Sequence, residues 1–582
     1  MGLFQKSLSV TAVAALALAP SLAALPTAKA QEAAIYSSMD RMHPVWAEHG
    51  MVASQEALAT EIGVAVLEQG GNAVDAGVAV AFALAVTLPR AGNLGGGGFM
   101  LVHDAKSGET VAIDYREMAP AAAHRDMYLD ADGNAVSKLS RFHGHAVGVP
   151  GTVAGMELAL ERYGTMSLAE AVQPAIALAK GLTVTPDLAD SLQRLESRLK
   201  AWPSSAAIFF KPDGSPYQSG ETLVQADLAA SLALIAEQGA DGFYKGPTAE
   251  KIAAAVQAAG GSMTVEDLGN YVAKVREPVK GNYRGYEVLS MPPPSSGGAH
   301  IVQILNILEA YPIGFLGLNS ADTIHLMAEA MKRAYADRST YLGDSDFVEV
   351  PLAGITHKDY AAELRRQISR FEATPSSGIR EGAPQPYESN ETTHFSIIDK
   401  DGNAVSNTYT INFSYGSGLV AEGTGILLNN EMDDFSAKPG VPNAYGLIGG
   451  AANAVEAGKR PLSSMSPTIV MKDGKPFLVT GSPGGSRIIT TVLQVIMNVI
   501  DHGLNVAEAT AASRIHHQWL PDELRVEEGL SPDTLRLLAA MGHDIALKSA
   551  MGSAQSVMID PATGFRLGAS DPRRAGALTA GY

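Results

Sequence analysis

The sequence predicts an α/β (α+β) protein in which antiparallel sheets are covered by helices on their outer faces. Three observations predict this class: β-hairpin patterns occur in both halves of the chain, helical patterns lie between them, and no internal repeat of fixed period is present. A hairpin pairs its two strands antiparallel, and the apolar face of such a sheet is buried under another layer.

The first half supplies two helices, a hairpin and a helical layer. The helices are predicted from Gln55 to Gln69 and, before Pro89, from Ala73 to Leu88. The hairpin follows the glycines from Gly95 to Gly98 and is predicted from Phe99 to His103 and from Thr110 to Tyr115. Residues 150–270 are rich in Ala, Leu and Glu at helical spacing, which predicts the helical layer.

The second half supplies three more hairpins and one apolar helix. Residues 365–391 precede them as a polar stretch with Pro and Gly, which predicts an exposed and mobile segment. The hairpins are predicted from His394 to Asn412, from Thr468 to Thr480 and from Gln555 to Gly568, and the helix from Ile488 to Ile500.

Charge and composition exclude several classes of function. The chain has 582 residues, which suffices for several domains or one large sandwich, and its 43 Lys and Arg against 61 Asp and Glu give a net charge of −18. This charge disfavours nucleic acid and anionic membranes as partners. The chain contains no cysteine, which excludes disulfides and thiolate metal sites. A catalytic nucleophile therefore has to be Ser, Thr, Lys or a carboxylate.

Residues 1–30 have the pattern of a signal peptide. Lys6 precedes an apolar run from Leu8 to Ala19, and Ala28-Lys29-Ala30 forms an A-x-A cleavage site. The alternative, a membrane anchor, would need roughly 20 apolar residues to span a bilayer, and this run is shorter. We therefore expect export, with a mature chain that begins at Gln31, has no membrane span and is periplasmic or secreted.

The junction between Glu391 and Thr392 is the strongest candidate for chemistry. A polar loop meets a predicted strand here, so cleavage would make Thr392 a new N-terminus. A free α-amino group has a pKa of roughly 7.7 to 8 and can accept the proton of the threonine hydroxyl. One residue would then supply both nucleophile and base. On composition alone, two threonines at a strand start are already explained by β-propensity.

Two glycine-rich segments offer backbone N–H groups without side chains. Gly481-Ser-Pro-Gly-Gly-Ser486 lies between a predicted strand and a predicted helix, where it suits an oxyanion, a phosphate or simply a tight turn. It lacks the lysine of a P-loop, and Gly95 to Gly98 lack the sequence context of a dinucleotide site.

Two histidine pairs, His143 with His145 and His516 with His517, are the candidates for metal binding. Neither has the H-E-x-x-H pattern, and no thiolate could assist. We therefore expect structural histidines, no metal and no cofactor.

A few charged and hydroxyl residues would suit an amino-acid ligand. Arg116, at a predicted strand end, and the pair Ser463-Ser464 could bind an α-carboxylate. Asp433-Asp434, near Glu431, could hold an α-ammonium group or a divalent ion, or could cap a loop.

Together these segments resemble the γ-glutamyltranspeptidase family, from about residue 45 to Tyr582. Six collinear motifs carry the resemblance: Asn93-Leu-Gly-Gly-Gly-Gly-Phe99, Asp114-Tyr-Arg-Glu-Met-Ala-Pro120, Glu391-Thr-Thr-His394, Leu427-Leu-Asn-Asn-Glu-Met-Asp-Asp-Phe435, Arg460-Pro-Leu-Ser-Ser-Met-Ser-Pro467 and Gly481-Ser-Pro-Gly-Gly-Ser486. The family belongs to the N-terminal-nucleophile hydrolases. The resemblance therefore implies an αββα sandwich, in agreement with the hairpins and helices above.

The resemblance implies a precursor that cleaves itself between Glu391 and Thr392. The Thr392 hydroxyl would attack the preceding carbonyl, and hydrolysis of the ester would give a large subunit of residues 31–391 and a small subunit of residues 392–582. Each subunit would contribute hairpins to a shared core, so the two would stay together as a heterodimer that forms one intertwined domain.

The resemblance also implies transfer and hydrolysis of γ-glutamyl groups. Thr392 would form a γ-glutamyl ester with glutathione or related compounds and pass the group to water or to amino acid or peptide acceptors. Thr410 would hydrogen-bond the nucleophile, and the N–H groups of Gly484 and Gly485 would bind the oxyanion.

The same resemblance assigns the two charged groups of the donor to two sets of residues. The α-carboxylate set is Arg116, Ser463 and Ser464, and the α-ammonium set is Asn412, Glu431 and Asp434. Tyr445, in the loop 439–449, resembles the lid residue of many bacterial members. Position 431 is Glu where a number of bacterial relatives have Gln, which adds a negative charge at the ammonium site. Position 391 also varies in the family, so Thr392 carries the prediction of cleavage.

Two alternatives remain open. A glutaryl-type β-lactam acylase would share the fold and the nucleophile, although the lid with Tyr445 and the ammonium set favour the glutamyl enzyme. An exported amino-acid-binding protein would do no chemistry and would remain one polypeptide.

Overall fold

Two large sheets contain strands from both sides of residue 392. The computed structural model describes residues 35–379, 392–438, 440–441, 447 and 449–582. The strands of the two sheets are β1 (Val45–Ala47), β2 (Met51–Ser54), β3 (Gly97–Asp104), β4 (Glu109–Tyr115), β5 (Lys274–Arg276), β6 (Val279–Tyr283), β7 (Tyr286–Ser290), β8 (Thr393–Ile398), β9 (Ala404–Thr410), β10 (Thr468–Lys472), β11 (Lys475–Gly481), β12 (Gln555–Ile559), β13 (Arg566–Ser570) and β14 (Leu578–Gly581).

Both sheets are antiparallel and have seven strands each within the described residues. The first has the order β14-β2-β8-β9-β3-β4-β5, and the second has the order β1-β13-β12-β11-β10-β7-β6. β8 and β9 of the first sheet contact β11 of the second, so the sheets pack face to face. β2 lies between β14 and β8, so a strand from before residue 392 is paired on both edges with strands from after it.

Helices cover the outer face of each sheet. The longer ones are α1 (Ala57–Glu68), α2 (Ala73–Thr87), α3 (Thr152–Tyr163), α4 (Leu168–Ala179), α5 (Ala226–Gln238), α6 (Gly246–Ala258), α7 (Gly297–Leu308), α8 (Ala321–Tyr341) and α9 (Ile488–Ile500). α1 and α2 contact the first sheet, α7 and α9 contact the second, and α8 packs on α7. The predicted αββα sandwich is confirmed.

The α2 helix shows how local sequence sets this layering. The Asn72 side chain accepts from the backbone N–H groups of Val74 and Asp75, and the Asp75 side chain accepts from the Asn72 N–H, which forms a capping box. All fifteen residues of α2 are buried, because sheet strands and neighbouring helices contact it on several faces. Each Val or Leu buried there contributes about 1.5–3 kcal/mol.

The predicted hairpins and the predicted helix from Ile488 to Ile500 are present, but the segment before residue 392 differs from prediction. Ala373 and Ser376 are buried. Trp519 donates to the Ser376 carbonyl at 3.1 Å, and the Ser376 N–H donates to Asp522 at 2.7 Å. Most of residues 366–378 are exposed, as predicted, but the prediction was wrong for these buried positions. The partners of Ser376 lie more than 140 residues away in the sequence, so local pattern could not indicate its burial.

Some predictions lie outside the described residues: the signal peptide of residues 1–30, residues 380–391 with Glu391, and Tyr445. Within the described residues, no helix has the length and apolarity needed to cross a membrane.

Candidate active site

Thr392 lies immediately before β8, near the centre of the first sheet. β8 pairs with β2 on one side and β9 on the other, which fixes the position of its first residues. Thr392 is 6% exposed and lines a small cavity. The hydroxyl residue predicted as nucleophile is therefore held at a strand end that faces a small pocket.

The cavity brings together most of the residues predicted as a site. Its lining includes nine of them: Arg116, Thr392, Thr410, Asn412, Glu431, Asp434, Ser463, Ser464 and Gly485. It also includes five that the sequence analysis did not single out: Arg338, Leu447, Met465, Ser486 and Ile488. These residues come from segments separated by more than 300 positions, so folding alone assembles the pocket.

Thr410 is the last residue of β9, Asn412 follows it by two residues, and both line the pocket with Thr392. The Asn412 N–H donates to the Thr410 hydroxyl at 2.8 Å, and the Asn412 side chain donates to the Asn430 carbonyl at 2.8 Å. Asn412 has a φ of 71°, a left-handed conformation that Asn tolerates better than most residues. This turn ties the strand that carries Thr410 to the segment that carries Glu431.

Acidic side chains surround one guanidinium in the pocket. Arg116 pairs with Glu431 and, at 2.5 Å, with Asp434, and Glu117 lies 3.7 Å from the same guanidinium. Burial raises the pKa of Glu431 well above its ordinary value and raises the pKa of Glu117 to about 7, despite the opposing charge of Arg116. A ligand cation would help these buried carboxyl groups to ionise, so the cluster favours a cationic ligand group.

The two serine hydroxyls are oriented by the hydrogen bonds that they accept. Ser463 Oγ accepts from the Met465 N–H at 3.0 Å, and Ser464 Oγ accepts from Nη2 of Arg338 at 3.1 Å. A hydroxyl that accepts from the protein keeps its own proton for another acceptor. Both serines can therefore donate to an anionic group in the pocket.

The glycine-rich segment between β11 and α9 has backbone conformations that require glycine. Gly484 has a φ of 137° and Gly485 a φ of 56°. Tyr335 donates its hydroxyl proton to the Ser486 carbonyl, and Ser486 Oγ donates to Gln518 at 2.7 Å. Gly485 lines the cavity with Thr392, as expected for an oxyanion donor. Gly484 is its chain neighbour and is not part of the lining.

The nearest histidine in sequence, His394, is a poor base. Its two ring nitrogens contact Thr408 Oγ1 at 2.8 Å and Ser396 Oγ at 3.0 Å. Burial between the sheets lowers the pKa of His394 to about 3. A base for the Thr392 hydroxyl is therefore better supplied by another group.

The histidine pairs singled out from the sequence lie away from the pocket. His516 is buried and contacts Thr490 Oγ1 and Gln518, and the rings of His143 and His145 lie 5.0 Å apart. Within the described ranges, no group of three or more His, Asp or Glu side chains could hold a metal ion.

Comparison with known proteins decides the family. The sequence model described as gamma-glutamyltranspeptidase matches residues 59–581. The chain belongs to the γ-glutamyltranspeptidase family. It is 63% identical over 545 residues to the glutathione hydrolase proenzyme of Escherichia coli (strain K12), covering 93% of each chain. The resemblance seen in the six motifs is confirmed.

Solved structures of the fold include a family member and an acylase. The chain resembles the γ-glutamyltranspeptidase of Helicobacter pylori, with 49% identity and a TM-score of 0.56 over 56% of this chain and 94% of that one. It resembles the cephalosporin acylase from Bacillus halodurans, with 30% identity and a TM-score of 0.81 over 94% of this chain and 98% of that one. The two kinds of enzyme share the fold, but the sequence is much more similar to the glutathione hydrolase of the preceding paragraph.

Proposed function

We propose that Thr392 is the nucleophile with which this γ-glutamyltransferase and glutathione hydrolase cleaves first its own chain and then its donor. The observation that carries the proposal is the single pocket that gathers Thr392, the two charged sets and Gly485. A γ-glutamyl donor carries an ammonium group and a carboxylate on its α-carbon and an amide at its γ-carbonyl. Binding both charged groups fixes the position of the γ-carbonyl, so such a donor needs this arrangement.

Self-cleavage converts Thr392 into an N-terminal residue. Its Oγ attacks the carbonyl carbon of Glu391, the peptide nitrogen leaves as the amine of Thr392, and water hydrolyses the resulting ester. The products are a large subunit of residues 31–391 and a small subunit of residues 392–582. The pairing of β2 with β8 and β14, and of β9 with β3, supports their continued association, because these ladders join the two subunits.

Turnover uses the amine that cleavage sets free. The amine accepts the proton of Thr392 Oγ, which attacks the γ-carbonyl of the donor, and the N–H groups of Gly484 and Gly485 stabilise the oxyanion. Thr410 hydrogen-bonds the nucleophile. The protonated amine gives its proton to the departing amine, and a γ-glutamyl ester on Thr392 remains. Water or the amino group of an amino acid or peptide acceptor then resolves the ester.

Two different sets of residues bind the two charged groups of the glutamyl donor. Ser463 and Ser464 donate hydrogen bonds to the α-carboxylate. Arg116 lies between these serines and the acidic residues, and its positive charge attracts the α-carboxylate. Asn412, Glu431 and Asp434 surround the α-ammonium group, and the cluster of carboxyl groups around Arg116 supports this assignment. Tyr445 acts as the lid residue. Residues 1–30 direct export, and the mature enzyme is periplasmic or secreted.

The processing step is tested on a denaturing gel with N-terminal sequencing of the small subunit. The wild-type protein gives two bands, and the small one begins at Thr392. Thr392→Ala gives one band without activity. Thr393→Val is the matched control, because Thr393 Oγ1 is buried and has no hydrogen-bond partner among the described residues, so the variant still gives two bands. A processed, active Thr392→Ala protein overturns the proposal, and an uncleaved wild-type protein with full activity does so too.

The donor class is tested by turnover of a γ-glutamyl anilide against that of a glutaryl amide, which lacks the amino group. The ammonium set predicts a clear preference for the γ-glutamyl compound. A preference for the glutaryl amide instead identifies an acylase.

A further inference from the structure

Arg338 is a buried cation at the pocket that no sequence motif marks. It lies one turn before the end of α8 and is 4% exposed, and it lines the same cavity as Thr392. Its Nε donates to Ser296 Oγ at 2.9 Å and its Nη2 to Ser464 Oγ at 3.1 Å. Ser296 Oγ in turn donates to the Ser463 carbonyl at 2.8 Å. Arg338 therefore holds both serines of the predicted carboxylate set in place.

The hydrogen-bond partners of Arg338 are neutral. Other buried arginines form ion pairs: Arg333 with Glu329 at 2.9 Å and Arg514 with Asp571 at 2.6 Å. In the described part of the chain, Arg338 has its two serine bonds and no carboxylate in ion-pair contact. Burial lowers its pKa to about 10, with Asp434 offsetting part of this effect, so it stays charged at neutral pH. A buried cation without an anion is costly, and a ligand carboxylate would remove that cost.

Arg116 alone does not balance an incoming carboxylate. Its Nη1 pairs with Glu431, its Nη2 pairs with Asp434, and its Nε donates to the Pro461 carbonyl. Asp434 therefore already offsets the charge of this guanidinium, and Glu431 occupies another of its N–H groups. A donor α-carboxylate that relied on Arg116 would meet a cation that is already paired, so a second cation is needed beside the serines.

We propose that Arg338 is a specificity-determining residue that selects donors with an α-carboxylate. Its charge offsets the charge of that carboxylate, and its bond to Ser464 turns the serine proton toward the ligand. The inference rests on the proposed function, since it concerns the donor pocket of that reaction. The predicted carboxylate set of Arg116, Ser463 and Ser464 thereby gains a fourth residue, which comes from the helix α8.

The test compares two anilides that differ only in the α-carboxylate. γ-Glutamyl-p-nitroanilide has the group, and 4-aminobutanoyl-p-nitroanilide lacks it. For Arg338→Met we expect kcat/KM to fall about 10- to 100-fold on the first compound, chiefly through KM, because a hydrogen-bonded charge is lost. On the second compound we expect little change. Arg338→Lys restores part of the loss, because it keeps the positive charge.

Arg333→Met is the matched control, because it removes a buried arginine from the same helix without touching the pocket. It leaves the ratio of kcat/KM on the two anilides at the wild-type value. Self-cleavage into two bands reports that each variant is folded, and if Arg338→Met does not cleave, Arg338→Lys carries the test by its intermediate ratio. An equal fall on both anilides, or an unchanged ratio in both Arg338 variants, overturns the inference. Failure of the wild-type protein to use γ-glutamyl-p-nitroanilide overturns the proposed function instead.

Discussion

Replacing Glu431 with Gln tests how ligand binding at the proposed ammonium site depends on pH. Glu431 Oε1 pairs with Arg116, whereas Oε2 is buried and has no hydrogen-bond partner among the described residues. Burial raises the pKa of Glu431, and the charges of Glu117 and Asp434 raise it further against the effect of Arg116. Glu431 is therefore neutral below that raised pKa and becomes a carboxylate only above it. Gln resembles the neutral form at every pH.

The size of the expected effect follows from the hydrogen bond between the ligand ammonium group and Glu431, which ionisation of Glu431 strengthens. A hydrogen bond between an ammonium group and a buried carboxylate contributes about 1.5–3 kcal/mol, which corresponds to about 10- to 100-fold in a binding constant. We expect the inhibition constant of L-glutamate in Glu431→Gln, divided by that in the wild-type protein, to be near unity at low pH. As the pH rises through the pKa of Glu431, this quotient rises toward about 10 to 100.

The assay is competitive inhibition of γ-glutamyl anilide hydrolysis by L-glutamate, measured at a series of pH values across the range in which both proteins stay folded. The Thr392 amine titrates in both proteins, so its effect cancels in the quotient. Glutarate, which lacks the ammonium group, is the control ligand, and for it the quotient does not rise with pH. A quotient for L-glutamate that is the same at every pH would falsify the reasoning.

Three further substitutions test the framework around the nucleophile. Gly484→Ala places a side chain on a backbone with a φ of 137° and displaces the N–H group proposed as an oxyanion donor. We therefore expect kcat to fall in steady-state kinetics, by about 3 kcal/mol of barrier, with little change in KM. Tyr335→Phe removes the bond to the buried Ser486 carbonyl and lowers the free energy of unfolding by about 1–2 kcal/mol in denaturant titrations. Gly481→Ala puts a Cβ within 2.3 Å of the His394 ring and lowers the stability to thermal unfolding by about 1–3 kcal/mol.

A glycine in open space provides the control for these glycine substitutions. Gly354 has no atom within 4 Å of an added Cβ and lies in a short helix, so Gly354→Ala leaves activity and stability nearly unchanged. An unchanged kcat in Gly484→Ala contradicts the oxyanion assignment. Wild-type stability in Gly481→Ala or in Tyr335→Phe contradicts the packing and hydrogen-bond arguments, respectively.

Local pattern was sufficient for the elements, whereas the proposal of Thr392 as the nucleophile depended on the family motifs around it. The stop before Ala73, the apolar run of α2 and the alternation of β8 and β9 are properties of neighbouring residues, and the structure has helices and strands there. The glycines after β11 also indicated a turn from local sequence alone. Their positive φ angles in the structure explain why glycine is present there. The six motifs of the family added the roles of residues that composition could not distinguish from ordinary surface positions.

Only the tertiary structure decided which groups face one another. Arg338 lies near the end of α8, directly after Asp337, where the local sequence gives no sign of burial. The burial of Ser376 depends on Trp519 and Asp522. The pairing of Arg116 with Glu431 joins residues 315 positions apart. Periodicity and propensity report on a few neighbouring residues, whereas burial, charge balance and pKa depend on distant segments that meet only after the two sheets have packed.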